Sequence, residues 1–293
     1  MVKSFDEIDN NLINEVCNFY EQNHDFNSLR KSFPYLDYYV LYSILYSKRK
    51  YAEYIYDNLC QTKLDDKKLL VISDTHYGSV YENLRYTYEA FNFAKGKGIR
   101  IVLHGGDIIE SAIHAREGFN VIKQAEYFIN KYPSDKDMVT HAILGNHDYL
   151  AIILEEVVRE ILDSRDDINI LGFKKSFFDW YGNVISLRHE IEGYKLDLPP
   201  RADFLCFRGH SHFYHIRDVQ KNGKNERIYI PSLSDDPISH VGVRPQFKAK
   251  DTIAKPGFLT AELTDDSIVV SNYTFNNNNA IVKENEYVKR LKR

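Results

Sequence analysis

Five short motifs carry side chains that can bind a cation, and they follow one another along the chain: Asp74-Thr75-His76, Gly106-Asp107, Gly145-Asn146-His147-Asp148, His189, and Gly209-His210-Ser211-His212. Two aspartates, an asparagine carbonyl and several imidazoles form a mixed oxygen and nitrogen set. Such a set suits borderline divalent metals such as manganese, iron or zinc, and offers too few hard oxygens for calcium. It also exceeds what one ion needs. Two ions about 3.5–4 Å apart that share a carboxylate would use all of it and would clamp an in-line displacement at phosphorus. A single histidine after a strand is more often packing or surface than ligand. Five signals in order, each at the end of an apolar run, leave that reading little room.

The runs that precede these motifs are "KLLVIS", "IRIVLH", "VTHAIL", "NVISLR" and "ADFLCFRG", and each reads as a buried strand. In an extended segment residues i and i+2 point the same way, so His210 and His212 would leave their strand end together, whereas His215 falls outside the pattern. Ligand sites in α/β sheets form beyond the carboxyl ends of strands, and the glycines at 106, 145 and 209 allow sharp turns and close backbone approach there. Helices are expected over Tyr81–Lys95, Phe119–Lys131 and Tyr149–Asp163. Strands follow in "KKSFFDWYG", "FYHIRDVQ", "ERIYI", "GFLTAEL" and "SIVVSNYTF". Alternation of strand and helix followed by a run of strands predicts a layered α/β sandwich.

Residues 1–64 have a different texture. A helical stripe runs over Ile8–Tyr20, "FNSLRKSF" stops at Pro34, and "YLDYYVLYSILYS" and "KRKYAEYIYDNLC" continue as helices before a polar linker, "QTKLDDKK". The helix, turn, helix sequence with Arg30, Lys31, Lys48, Arg49 and Lys50 is compatible with a nucleic-acid-binding helix-turn-helix. Yet seven Lys and Arg face nine Asp and Glu in this region, and a helical cap or dimerisation surface explains it equally. The Asn-rich "FNNNNA" predicts an exposed loop, and the tail "KRLKR" a frayed end. A net charge of -4 carries no whole-molecule signature of nucleic-acid binding. Three scattered cysteines exclude a disulfide scaffold or a structural zinc knuckle. With no apolar leader in "MVKSFDEIDN" and no run long enough to span a bilayer, the expectation is a soluble cytoplasmic chain without membrane contact; its oligomeric state is left open.

The ordered set Asp-x-His, Gly-Asp, Gly-Asn-His-Asp, His and Gly-His-x-His resembles the calcineurin-like metallophosphoesterase superfamily over Lys67 to about Phe275. That resemblance implies a four-layer α/β/β/α domain over 67–275, with a helical region at 1–64 before it and a loop and basic tail at 276–293. It further implies two divalent ions, with manganese expected and iron, zinc or nickel as alternatives. One ion would take Asp74, His76, His212 and a shared Asp107. The other would take Asp107, Asn146, His189 and His210. His147 would be the proton donor, and a metal-bound hydroxide the nucleophile. Asp148 is read equally as a helix N-cap and as a catalytic acid. His141 is expected in the core, His114 on a solvated loop, and His240 and Arg244 along the edge of the cleft.

Departures from the family's subgroups narrow the substrate. Protein phosphatases of the superfamily carry Gly-Asp-x-Val-Asp-Arg-Gly, whereas this chain has "GGDIIES", with Glu110 and then Ser111 where the phosphate-gripping arginine would stand. Purple acid phosphatases place a metal-binding tyrosine near position 110. Lipid-A-pathway and small cyclic-phosphodiesterase relatives usually replace the histidine at 147. The nuclease and phosphodiesterase branches, which share Gly-Asn-His-Asp, are what remains. The expected function is therefore a phosphodiesterase or DNA nuclease acting on a phosphoester, with a phosphomonoesterase for a phosphoprotein or small metabolite as the alternative.

Overall fold

The computed structural model describes residues 10–23, 26–36, 41, 44, 62–189, 205–218, 226–235 and 255–291. Thirteen strands in these residues form two sheets. The six-stranded sheet contains β1 (Thr62–Leu64), β6 (Lys175–Trp180), β7 (Asn183–His189), β8 (Leu205–Gly209), β10 (Glu226–Tyr229) and β9 (His215–Asp218), in that spatial order. The seven-stranded sheet runs β13 (Ile281–Arg290), β12 (Ser267–Phe275), β11 (Gly257–Leu263), β2 (Lys68–Ile72), β3 (Ile101–His104), β4 (Val139–Leu144) and β5 (Ile168–Phe173).

Strand alternation explains why two layers of core exist. In β2, Leu70 and Ile72 face the helices while Leu69 and Val71 face the other sheet; in β4, Ala142 and Leu144 face one way and Ile143 the other. The helix-side core is closed by α3 (Leu84–Gly96), α4 (Val121–Lys131), α5 (Asn146–Leu154) and α6 (Val157–Leu162). The inter-sheet core joins Leu69, Val71 and Ile143 to Ile185, Leu187, Leu205, Phe207 and Ile228. The result is an α/β sandwich.

Several elements depart from the sequence expectation. The polar linker contains β1, because Leu64 is buried and pairs in register with Trp180, whose indole nitrogen donates to the Asp66 carbonyl at 2.7 Å. Residues 168–173 form β5, an alternating strand with no counterpart among the expected elements. The tail is not frayed through residue 291: β13 pairs along its length with β12, and its lysines and glutamates sit on a sheet edge, where charge is the usual protection. The helix expected from Tyr149 begins at Asn146 and breaks at Glu155–Glu156 into α5 and α6.

At the N-terminus, α1 (Asn10–Asn23) and α2 (Phe26–Ser32) share a small core of Val16, Tyr20, Leu29 and Phe33, which also meets Ala112 and Leu154 of the larger unit. Arg30 and Lys31 are exposed at the end of α2; Lys48, Arg49, Lys50 and most of the third and fourth expected helices lie outside the described residues.

Candidate metal centre

Topology brings the five motifs together. Strands β2, β3 and β4 are adjacent and parallel, so Asp74, His76, Asp107 and Asn146 emerge side by side beyond their carboxyl ends. Strands β7 and β8 are likewise parallel neighbours and deliver His189, His210 and His212 from the opposing sheet. The candidate ligands thus straddle the seam between the sheets.

The local backbone is unusual. Asp74, His76, Asp107, His210 and His212 all have positive φ, between 46° and 77°. For non-glycine residues this region costs on the order of 1–3 kcal/mol each and persists only where the surroundings enforce it. Here the enforcement is visible. Asp74 donates its N–H to the Gly106 carbonyl at 2.9 Å, His76 to the Asp107 carbonyl at 3.1 Å, and His210 to the Asp74 carboxylate at 3.0 Å. Gly106, at φ 94°, and Gly145 lie so close together that a Cβ on Gly106 would stand 2.8 Å from the Gly145 nitrogen.

Three clusters of donor atoms result. In the first, His212 Nε2 lies 3.3 Å from Asp74 Oδ1 and 3.3 Å from His76 Nε2. In the second, which groups Asp107, His189 and His210, His189 Nε2 lies 3.0 Å from Asp107 Oδ2 and 3.1 Å from Asn146 Oδ1. The third joins His76, Glu110 and His147: Glu110 reaches His76 Nδ1 at 3.1 Å and His147 Nδ1 at 3.5 Å.

Hydrogen bonds decide which nitrogens can ligate. His189 Nδ1 faces the Gly105 carbonyl oxygen at 2.7 Å, and a carbonyl only accepts, so Nδ1 carries a proton and Nε2 points to the two oxygen donors. A histidine that donates one N–H to a carbonyl and turns the other nitrogen inward is the arrangement of a metal ligand. Two oxygens about 3 Å from one ring nitrogen also require a positive species between them and it, a proton or a cation. The residues present therefore fit a divalent ion.

The electrostatics agree. Burial works against charge on every group, yet the His212 ring beside Asp74 holds that carboxyl far below its usual range, and Asp107 is held down by His189 and His147. Burial lowers His189, but Asp107 outweighs it and holds the ring up to about 9. For His147, burial is again overcome, by Asp107 and Glu110, and the ring is pushed up to about 10. Burial and the neighbouring His189 hold His210 down at about 3, in its neutral form.

His147 stands apart from the first two clusters. Its Nδ1 donates to the Glu110 carbonyl oxygen at 2.5 Å, and Ser111 Oγ lies 3.5 Å from the same nitrogen. Asp148 proves to be neither N-cap nor free acid. Gly145 occupies the N-cap, and the buried Asp148 carboxylate accepts N–H groups from Gly145, Ile108 and Ile109 at 2.8–2.9 Å. In return Asp107 Oδ1 accepts the His147 N–H at 2.9 Å.

Other histidines take the places expected or lie beyond reach. His141 is half-buried in β4 near Phe178, and His215 sits in β9 outside all three clusters. The His114 ring meets Tyr81 edge-on, while its backbone N–H donates to Glu110 at 3.1 Å. His240 and Arg244 fall outside the described residues. Two contributors were not expected. Glu110 faces two histidines at once; its only sequence signal is its place three residues after Asp107. His104, fully buried behind the site, accepts the Gly106 N–H at Nδ1 (3.2 Å) and contacts Thr75 Oγ1 at Nε2 (3.1 Å).

Comparison with known proteins closes the question of kinship. The family model described as calcineurin-like phosphoesterase matches residues 67–271. Similar solved structures include a protein from Streptococcus pneumoniae described as a predicted phosphoesterase (14% identity, 77% of this chain and 98% of that one, TM-score 0.40). Vps29 from Entamoeba histolytica complexed with zinc (14%, 76% and 98%, TM-score 0.35) and GAP50 of the Plasmodium inner membrane complex (12%, 76% and 88%, TM-score 0.46) are also similar. At these identities and scores they carry no argument about substrate or partner. No curated protein matches, and no helix among the described residues is long and apolar enough to cross a membrane. With well over half its length matched by the family model, the chain belongs to the calcineurin-like phosphoesterases, metal-dependent hydrolases of phosphate esters.

Proposed function

We propose that the chain hydrolyses phosphodiesters, DNA among the candidate substrates, with two divalent ions held at the seam between the sheets. Asp74, His76 and His212 would hold one ion, Asn146, His189 and His210 the other, and Asp107 would serve both. When bound, such ions polarise the phosphoryl oxygens and make hydroxide available at neutral pH, because they lower the pKa of water to ~7.

The remaining chemistry belongs to the chain. His147, outside both ligand groups and held protonated by Asp107 and Glu110, is placed to give a proton to the leaving oxygen. Its Nδ1 is committed to the Glu110 carbonyl, so Nε2 is the atom that would donate. Glu110 orients both His76 and His147. Ser111, a neutral hydroxyl, stands where relatives that act on dianionic phosphoprotein esters carry an arginine. That replacement is the observation that favours diesters over monoesters.

The test is a comparison of the manganese-loaded protein on a bis-aryl phosphate, a mono-aryl phosphate, and single- and double-stranded DNA, alongside metal analysis. The expected result is two ions per chain, loss of activity in EDTA, and faster turnover of the diester. Faster turnover of the monoester would favour the phosphomonoesterase; one ion or none after reconstitution would sink the dinuclear reading.

A further inference from the structure

Two aspartates, one on the turn after β3 and one in the first turn of α5, hold those segments together by crossed bonds. The turn after β3 carries Asp107, and its Oδ1 accepts the N–H of His147 at the start of α5. Helix α5 carries Asp148, and its Oδ1 accepts the N–H groups of Ile108 and Ile109, on the turn after β3, at 2.8 and 2.9 Å. Its Oδ2 accepts the Gly145 N–H at 2.8 Å. Asp148 is fully buried, so each of these bonds is made in a dry environment, where a carboxylate cannot exchange its partners for water.

The consequence for geometry is specific. Asp107 sits at φ 52°, a conformation its own side chain does not favour, and the two amides that follow it are the ones Asp148 holds. On the other segment Asp148 holds the amide that precedes Asn146. One carboxylate thus fixes the spacing between the candidate shared ligand and the asparagine that faces the same histidine as Asp107 does. The contacts of Asp107 and Asn146 with His189, at 3.0 and 3.1 Å, depend on that spacing.

We propose that Asp148 is a positioning residue for the metal pair: by clasping the 107–109 turn to the head of α5, it brings Asp107 and Asn146 to one cation at the Asp107, His189 and His210 cluster. This rests on the dinuclear reading above. It assigns the acid of Gly-Asn-His-Asp neither to proton transfer nor to ligation.

Asp148→Asn separates the roles. The amide keeps an oxygen for Ile108 and Ile109 but turns an N–H toward the N–H of Gly145, so one side of the clasp opens while the side chain keeps its size. In the full-length protein the expected result is one manganese bound as in wild type and a second bound about 10–100-fold more weakly, the range for lost outer partners of ligands. The electron paramagnetic resonance spectrum should change from a coupled pair to isolated ions, with kcat falling far more than KM rises. Wild-type affinity for both ions and an unchanged coupled spectrum, with only a lower melting temperature, would overturn the proposal. Should the variant not fold, hydrogen exchange of the wild-type chain without metal decides instead. The amides of 108, 109 and 145 are expected to exchange slowly, and exchange as fast as in an open loop would overturn the clasp. A wild type that takes up a single manganese would instead defeat the dinuclear reading, with the exchange result still standing on its own.

Discussion

The imidazole of His147 gives its Nδ1 proton to the carbonyl oxygen of Glu110, 2.5 Å away, and so presents its other nitrogen away from the loop that holds it. A general acid fixed in this manner contributes about 10²–10⁴-fold to rate. His147→Ala is expected to keep its metal and to lose most of its rate on substrates with poor, alkoxide-like leaving groups. An activated aryl phosphate should suffer less, because its leaving oxygen needs little protonation. Equal slowing of both substrates, or loss of metal, would show that His147 has another role.

Metal uptake should depend on pH. Without metal, Asp107 holds His189 up to about 9 against the effect of burial, so the ring is charged at neutral pH. A ligand must be neutral, and binding must therefore expel that proton. Affinity is expected to rise with pH and level off near 9, falling roughly tenfold per pH unit below that for each proton displaced. Calorimetry in buffers of different ionisation enthalpy would count the protons. Equal affinities at about pH 6 and about pH 8 would exclude His189 as a ligand.

His104 predicts an acid-sensitive fold. Burial holds it at about 3, against 6.5 for an exposed imidazole, so between these values the unfolded chain takes up a proton that the folded chain refuses. The stability this group contributes is complete above about pH 6.5 and is lost as the pH falls toward 3, at up to about 1.4 kcal/mol per pH unit. His104→Asn, which can still accept the Gly106 N–H, is expected to be less stable at neutral pH and less steeply destabilised by acid. Denaturant titrations across that range would measure both slopes, and parallel slopes would remove His104 from the account.

Gly145 should tolerate no side chain. A Cβ there would overlap Oδ1 and the backbone nitrogen of Asp107. Gly145→Ala is expected to destabilise the fold by about 1–3 kcal/mol, as overpacking does, and to weaken metal binding by displacing Asp107. Wild-type metal affinity in this variant would show that the two loops can separate without harm to the site.

The gathering of the candidate ligands was legible because each stands just past an apolar run that has to be a strand, and the parallel order of β2, β3 and β4 then brings their ends together. Asp148 and Glu110 were harder. Their contacts are with backbone amides and ring nitrogens that only the fold brings near them, so one was read equally as a cap and as a catalytic acid and the other only as a departure from family pattern. The left-handed backbone at Asp74, His76, Asp107, His210 and His212 leaves no trace in composition, since glycine would be the usual marker and none of them is glycine. Strands β1 and β13 were hidden for a different reason. Each lies at a sheet edge, where polar side chains dilute the alternation that marks a buried strand.

The seam between the sheets would give a bound ion a second effect. His76 and His212 lie 136 positions apart, and their Nε2 atoms stand 3.3 Å from each other. An ion shared by such distant residues acts as a reversible cross-link that closes a very long loop of the unfolded chain. Loop-closure entropy grows only slowly with length, so most of that benefit would come from tying the two sheets at all. Chelation would then remove a tether as well as a cofactor, and cells starved of the metal would hold a protein that is looser and more open to proteases as well as inactive.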